Sequence, residues 1–86
     1  MLTPRQISID RAILTALAAM PAEMLLLEEV LRADASRMVP VRPTTVEFDE
    51  RLRYLDGRRR IAGLEGESSM QWQITDAGRL WRALNP

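Results

Sequence analysis

Arg58-Arg59-Arg60 is the densest run of positive charge in the chain. Guanidinium groups suit one kind of chemistry above others, forked charge-assisted hydrogen bonds to phosphate or carboxylate. Arg42 stands in a proline-bearing stretch upstream, and Arg53 lies five residues before the run. Catalysis has much less to draw on. There is no histidine and no cysteine, and the serines have no base in view that would activate them. Glu28 and Glu29 are consecutive and diverge on a helix. Glu47 and Glu50 share a face at i, i+3, but two carboxylates fall short of a divalent-ion site. Gly57, Gly63, Gly66 and Gly78 are scattered, so none forms a phosphate-cradling loop. Neither an enzyme nor a metal, cofactor or small-molecule site is expected.

The charge total argues against the simplest use of those arginines. All twelve basic residues are arginine, and twelve acids balance them. The absence of lysine fits forked recognition, and it also follows from a GC-rich genome. Residues 1–43 carry five of each sign and residues 44–86 seven of each. Non-specific affinity for nucleic acid comes mainly from phosphate neutralisation. A neutral chain must therefore concentrate its positive charge locally or act on something else. With 86 residues and 47 % hydrophobic content, the chain makes one small domain with little core to spare. No apolar run reaches the roughly 18 residues of a membrane span, and no signal peptide is evident. A cytosolic setting without membrane attachment is expected.

The elements that must position the arginines are readable from caps and periodicity. Thr3-Pro4-Arg5-Gln6 has the marks of a helix start: a capping threonine, proline at the first position and glutamine reaching back. The first helix should span about 4–19. Ile9, Ile13, Ala16, Leu17 and Met20 form one stripe, and Ile7, Leu14 and Ala18 a second. A helix apolar on two sides is either central to its domain or shared with a partner chain. Ile7, Leu14 and Ala18, joined by Trp81, are thus the expected contacts of a homodimer. Pro21 ends this helix, and Ala22 to Leu26 reads as extended. A second helix over 27–34 turns Leu27, Val30 and Leu31 inward and Glu28, Glu29 and Arg32 outward. The stretch from Asp34 to Pro43 is loop, because Pro40 and Pro43 each bias the preceding residue towards extended geometry.

Thr44 and Glu47 form a capping box that opens a third helix over 44–57. Phe48, Leu52 and Leu55 make its apolar stripe, and Gly57 is placed to end it. The opposite face carries Val46, Glu50, Arg53, Tyr54 and Gly57. Two arginines against four acids give this helix a net charge of −2, which repels phosphate unless the acids pair. Glu47 with Arg51 and Asp49 with Arg53 are the i, i+4 pairs available. A hairpin follows over 59–75, with strands at Arg60–Leu64 and Met70–Thr75 and a turn through Glu65-Gly66-Glu67-Ser68-Ser69. Met70, Trp72 and Ile74 alternate with Gln71 and Gln73, which sets the inner face. Thr75 caps a closing helix over 76–84 with Ala77, Leu80, Trp81 and Leu84 as its stripe, placing both tryptophans in phase with the core.

The segments Leu52-Arg53-Tyr54-Leu55 through Ile61, and Trp72-Gln73-Ile74-Thr75-Asp76-Ala77-Gly78-Arg79, resemble those of small bacterial and phage-type winged helix-turn-helix proteins. The first half fits as the opening helices, so the resemblance covers nearly the whole chain. The loop over 34–43 departs from the short turn of that family. The resemblance implies a mainly α fold with a three-helix core, a two-stranded wing and a C-terminal helix. It also implies a double-stranded DNA-binding transcriptional regulator, expected to be dimeric. On that reading Arg53 reads bases and Tyr54 donates to phosphate. Arg42, Thr44, Thr45, Arg58, Arg59 and Arg60 hold the backbone. The acidic Glu65 and Glu67 at the wing tip argue against a minor-groove grip. The alternative is a protein-interaction or assembly module on the same frame, which suits the zero net charge, the over-apolar first helix and Val46 on the outer face.

Overall fold

In the computed structural model, which describes residues 1–21 and 23–86, four helices pack with a three-stranded antiparallel sheet. In chain order these are α1 (Pro4–Ala18), β1 (Leu26–Leu27), α2 (Glu28–Ser36), α3 (Thr45–Gly57), β2 (Ile61–Glu65), β3 (Met70–Ile74) and α4 (Asp76–Leu84). Side-chain oxygens satisfy the orphan amides at three helix starts. Thr3 Oγ1 accepts from Gln6 N and Thr44 Oγ1 from Glu47 N, each at 3.1 Å, with the reciprocal half of both boxes formed. Thr75 Oγ1 accepts from Gly78 N at 3.1 Å and donates to the Arg59 carbonyl. That threonine ties the start of α4 to the end of α3.

The sheet order is β1-β3-β2, so the expected hairpin gains a third strand. Leu26 pairs with Trp72 and Leu27 with Gln71. Ala22, the first residue of the expected extended segment, lies outside the described residues. The hairpin register puts Gly63 opposite Trp72. The indole lies over that glycine, where an added Cβ would come within 2.7 Å of the ring. Trp72 and Ile74 are buried and Met70 is half-buried against the core, as the alternation expects.

α1 is the centre of the fold, packing against α2, α3, α4 and β3. This settles one of its two apolar sides: Leu14 is 0 % exposed within the single chain. It therefore offers nothing to a partner, contrary to its expected place in a dimer contact. Ala18 packs against the core and Ile7 is half-buried.

Other expectations yield to the packing. Leu27 and Val30 are exposed where inward positions were expected, and Leu31 alone of that trio is buried. Glu28 and Arg32, expected outward, are half-buried. Trp72 Nε1 donates to Glu28 at 3.0 Å, and Arg32 lies 4.6 Å over the Phe48 ring. Gly57 does not adopt the left-handed conformation; Arg59 does, with φ of 59°. Arg60 N donates to Leu55 O at 2.9 Å and Arg59 N to Asp56 O at 3.0 Å, the paired bonds of a Schellman cap with Arg59 at its left-handed position. The largest reversal is in α4. Ala77, Leu80 and Leu84 face solvent, Trp81 is half-buried, and only Gly78 is fully covered.

Candidate functional site

The expected contact residues do not converge on one surface. Arg42, Thr44 and Thr45 lie at the start of α3, and Arg58, Arg59 and Arg60 follow its end. The 13 residues between span about 20 Å at the helical rise. Exposed Arg42 borders a hollow with Ala33, Ser36 and Arg37. Thr44 is committed to its capping box, and Thr45 is exposed.

The outer face of α3 is acidic. Val46, Glu50, Arg53, Asp56 and Gly57 are exposed there. Arg53 opens onto a groove of about 320 Å³ lined also by Glu28, Asp49, Leu52 and Trp72. It therefore faces two carboxylates and an indole. Neither expected pair within this helix forms. Glu47 takes Arg5, through bonds of 2.6 and 3.0 Å, and Asp49 takes Arg32 at 2.9 Å. Arg51 reaches instead into the core to Asp10. Hydrogen bonds from Arg5, reinforced by the Thr44 amide, hold the Glu47 carboxyl down at about 2. Glu47 is thus a fixed anion that fastens α1 to the start of α3.

The positive charge gathers elsewhere, around Tyr54. This residue is half-buried rather than presented on the outer face. The Arg51 guanidinium lies 4.3 Å from its ring centroid, with Arg58 and Arg60 each at 5.9 Å. Arg60 also lies 5.3 Å over Trp81, and its Nη1 is enclosed without an acceptor among the described residues. Among those residues Arg42, Arg53, Arg58 and Arg59 have no carboxylate within 4.0 Å.

Beside this junction runs the exposed stripe of α4. Arg58, Arg60, Ala77, Leu80, Trp81 and Leu84 line a notch of about 460 Å³. Leu80 is 63 % exposed and Leu84 72 %. The outward orientation has a local cause in polar anchors. Arg82 Nε donates to Thr15 Oγ1 at 3.0 Å and Arg11 Nε to the Asn85 carbonyl at 3.1 Å. Gly78 presses against the Arg60 carbonyl, where a Cβ would stand 2.1 Å from the oxygen. These contacts hold the polar edge of α4 on α1 and leave Ala77, Leu80 and Leu84 outside, while Trp81 packs against the edge of the core. Amphipathicity marked that face in the sequence, but not its direction.

No group of three or more potential metal ligands gathers among the described residues, and no helix there is long and apolar enough to cross a membrane. No family model matches the chain, and comparison with curated proteins and with solved structures finds no match.

Proposed function

We propose that this chain is a protein-interaction module on a winged helix-turn-helix frame, and that its working surface is the notch between the arginine junction and α4. The element order, with a hairpin between α3 and α4, supports the frame. The observation that carries the function is the unpartnered apolar stripe of α4 beside Arg58 and Arg60. A small domain with little core to spare leaves Leu80 and Leu84 outside it, beside a Trp81 that is only partly covered by the core. Contiguous apolar surface with a charged rim marks a protein contact. The surface that would face a duplex carries Glu50 and Asp56 against the one arginine Arg53 on α3, with Glu65 and Glu67 at the hairpin, a net negative distribution that disfavours phosphate.

Duplex binding by a bacterial or phage-type regulator is the second reading. It is favoured by Arg42, Arg53, Arg58 and Arg59, which have no carboxylate partner among the described residues. Anisotropy of a labelled mixed-sequence duplex at low salt separates the two, because screening is weakest there. The interaction reading expects no saturable binding. The duplex reading expects binding whose log affinity falls with log salt at about −0.9 per phosphate contact. Three or four arginine contacts then give a slope of about −3 to −4, and replacing Arg58 and Arg59 with alanine moves it about two units towards zero. A slope of that kind would overturn the interaction reading.

A further inference from the structure

We infer that a second copy of this chain docks its hairpin tip into the notch beside α4, giving head-to-tail self-association; this rests on the interaction reading and names its partner. The apolar floor of the notch and its two guanidiniums call for an occupant that brings an apolar side chain together with carboxylates. The chain displays such a segment. Leu64 is 56 % exposed on β2, the exposed Glu65 ends that strand on its other face, and the exposed Glu67 lies in the turn beyond. Neither glutamate pairs with a cation among the described residues. The tip cannot fold back into its own notch, because the five residues of β2 hold the two about 16 Å apart on one hydrogen-bonded hairpin. The contact has to come from another molecule.

Notch-to-notch pairing is the competing arrangement. It sets Arg58 and Arg60 against their own copies, and like charges in apposition are repelled. Tip-to-notch pairing joins opposite signs instead. It uses two different surfaces of each copy, so a pair leaves one notch and one tip free for further copies. One tip in one notch buries less than the roughly 1,200 Å² of a stable complex. The association is therefore weak and grows with concentration.

Sedimentation of the intact chain over a concentration series tests this with three proteins: wild type, Arg58→Glu and Glu65→Arg/Glu67→Arg. All altered positions are exposed, and circular dichroism checks that each variant is folded. The wild-type average mass should climb past that of a dimer. Each variant alone should associate at least about tenfold more weakly, since its tip and notch no longer carry opposite net charges. An equimolar mixture of the two variants should recover pairing, because the acidic tip of Arg58→Glu then finds a notch that keeps both Arg58 and Arg60. A wild type that stays monomeric at millimolar concentration overturns the inference, and so does association indifferent to tip reversal. Either result leaves the interaction reading standing, because that reading needs only the exposed notch and no second copy of this chain.

Discussion

Asp10 of α1 and Arg51 of α3 meet inside the core as a forked ion pair. Arg51 Nε lies 2.7 Å from Oδ1 and Nη2 2.6 Å from Oδ2, with the two residues 0 % and 6 % exposed. Burial pushes the Asp10 carboxyl up, against the pull of the Arg51 hydrogen bonds and charge. The pair fixes the angle at which the third helix crosses the first. It also turns Arg51 inward, where its guanidinium covers Tyr54 and organises the arginine junction.

Removing one member should therefore damage the fold more than removing both. Asp10→Ala leaves a buried guanidinium without its counter-charge, a change that costs about 3–5 kcal/mol. Asp10→Leu combined with Arg51→Met should recover most of that loss, because neither charge is then desolvated. Urea unfolding at neutral pH measures both. A double variant as unstable as the single one would show that the geometry of the pair, and not its charge, supports the crossing.

Gly78 and Arg59 make a second, paired prediction about backbone. Gly78→Ala drives a methyl into the Arg60 carbonyl, which α4 relieves only by moving off the end of α3. Overpacking of this kind costs about 1–3 kcal/mol. Arg59→Gly should act in the opposite sense, since Arg59 holds a left-handed conformation that glycine adopts without penalty; the gain should be about 1 kcal/mol. Thermal unfolding of the two variants should shift in opposite directions.

The reach of the sequence is clear from the residues it placed well and badly. Thr3 with Gln6, Thr44 with Glu47, and Thr75 are local signals, complete within four residues, and all three caps formed. The alternation of Trp72 and Ile74 with Gln71 and Gln73 likewise set the hairpin face. Choices between partners distant in the chain were not legible. Local spacing offered Glu47 to Arg51, but Arg5 lies 42 positions from Glu47 and Asp10 41 from Arg51, and each partner is brought in by tertiary packing. Leu26–Leu27 became a strand because β3 had a free edge, a fact two residues cannot carry. Of the expected contact residues, the structure gathers Tyr54, Arg58, Arg60 and Trp81, and it leaves Arg42, Thr44 and Thr45 at the far end of α3.

Glu47 sets the expected acid limb. Its carboxyl is lowered from 4.5 to about 2, first by hydrogen bonds from Arg5 and then by the Thr44 amide. A group depressed on folding contributes its stability above the unfolded value and loses it as pH falls through the folded one. Stability should thus decline between about pH 4.5 and 2. Asp10, raised by burial, has the opposite sign and offsets part of that decline. Glu47→Gln should flatten the acid limb when midpoints in urea are compared across this range. An unchanged slope would assign the limb to other carboxylates.

The orientation of α4 can be tested without any partner. Leu80 and Trp81 are neighbours on one apolar stripe, and so are Trp72 and Ile74 on β3, so periodicity treats the two pairs alike. The structure does not. Ile74 is 9 % exposed and packs in the core, whereas Leu80 is 63 % exposed and Leu84 72 %. Ile74→Ala should accordingly cost about 2–5 kcal/mol, as buried large-to-small changes do. Leu80→Ser and Leu84→Ser should each fall within about 0.5 kcal/mol of wild type, the range of surface substitutions. Both are measured in dilute solution, where self-association is negligible. If the two leucine changes proved as damaging as Ile74→Ala, the α4 stripe would be core after all, and the notch beside Arg58 and Arg60 would not be a surface open to a partner.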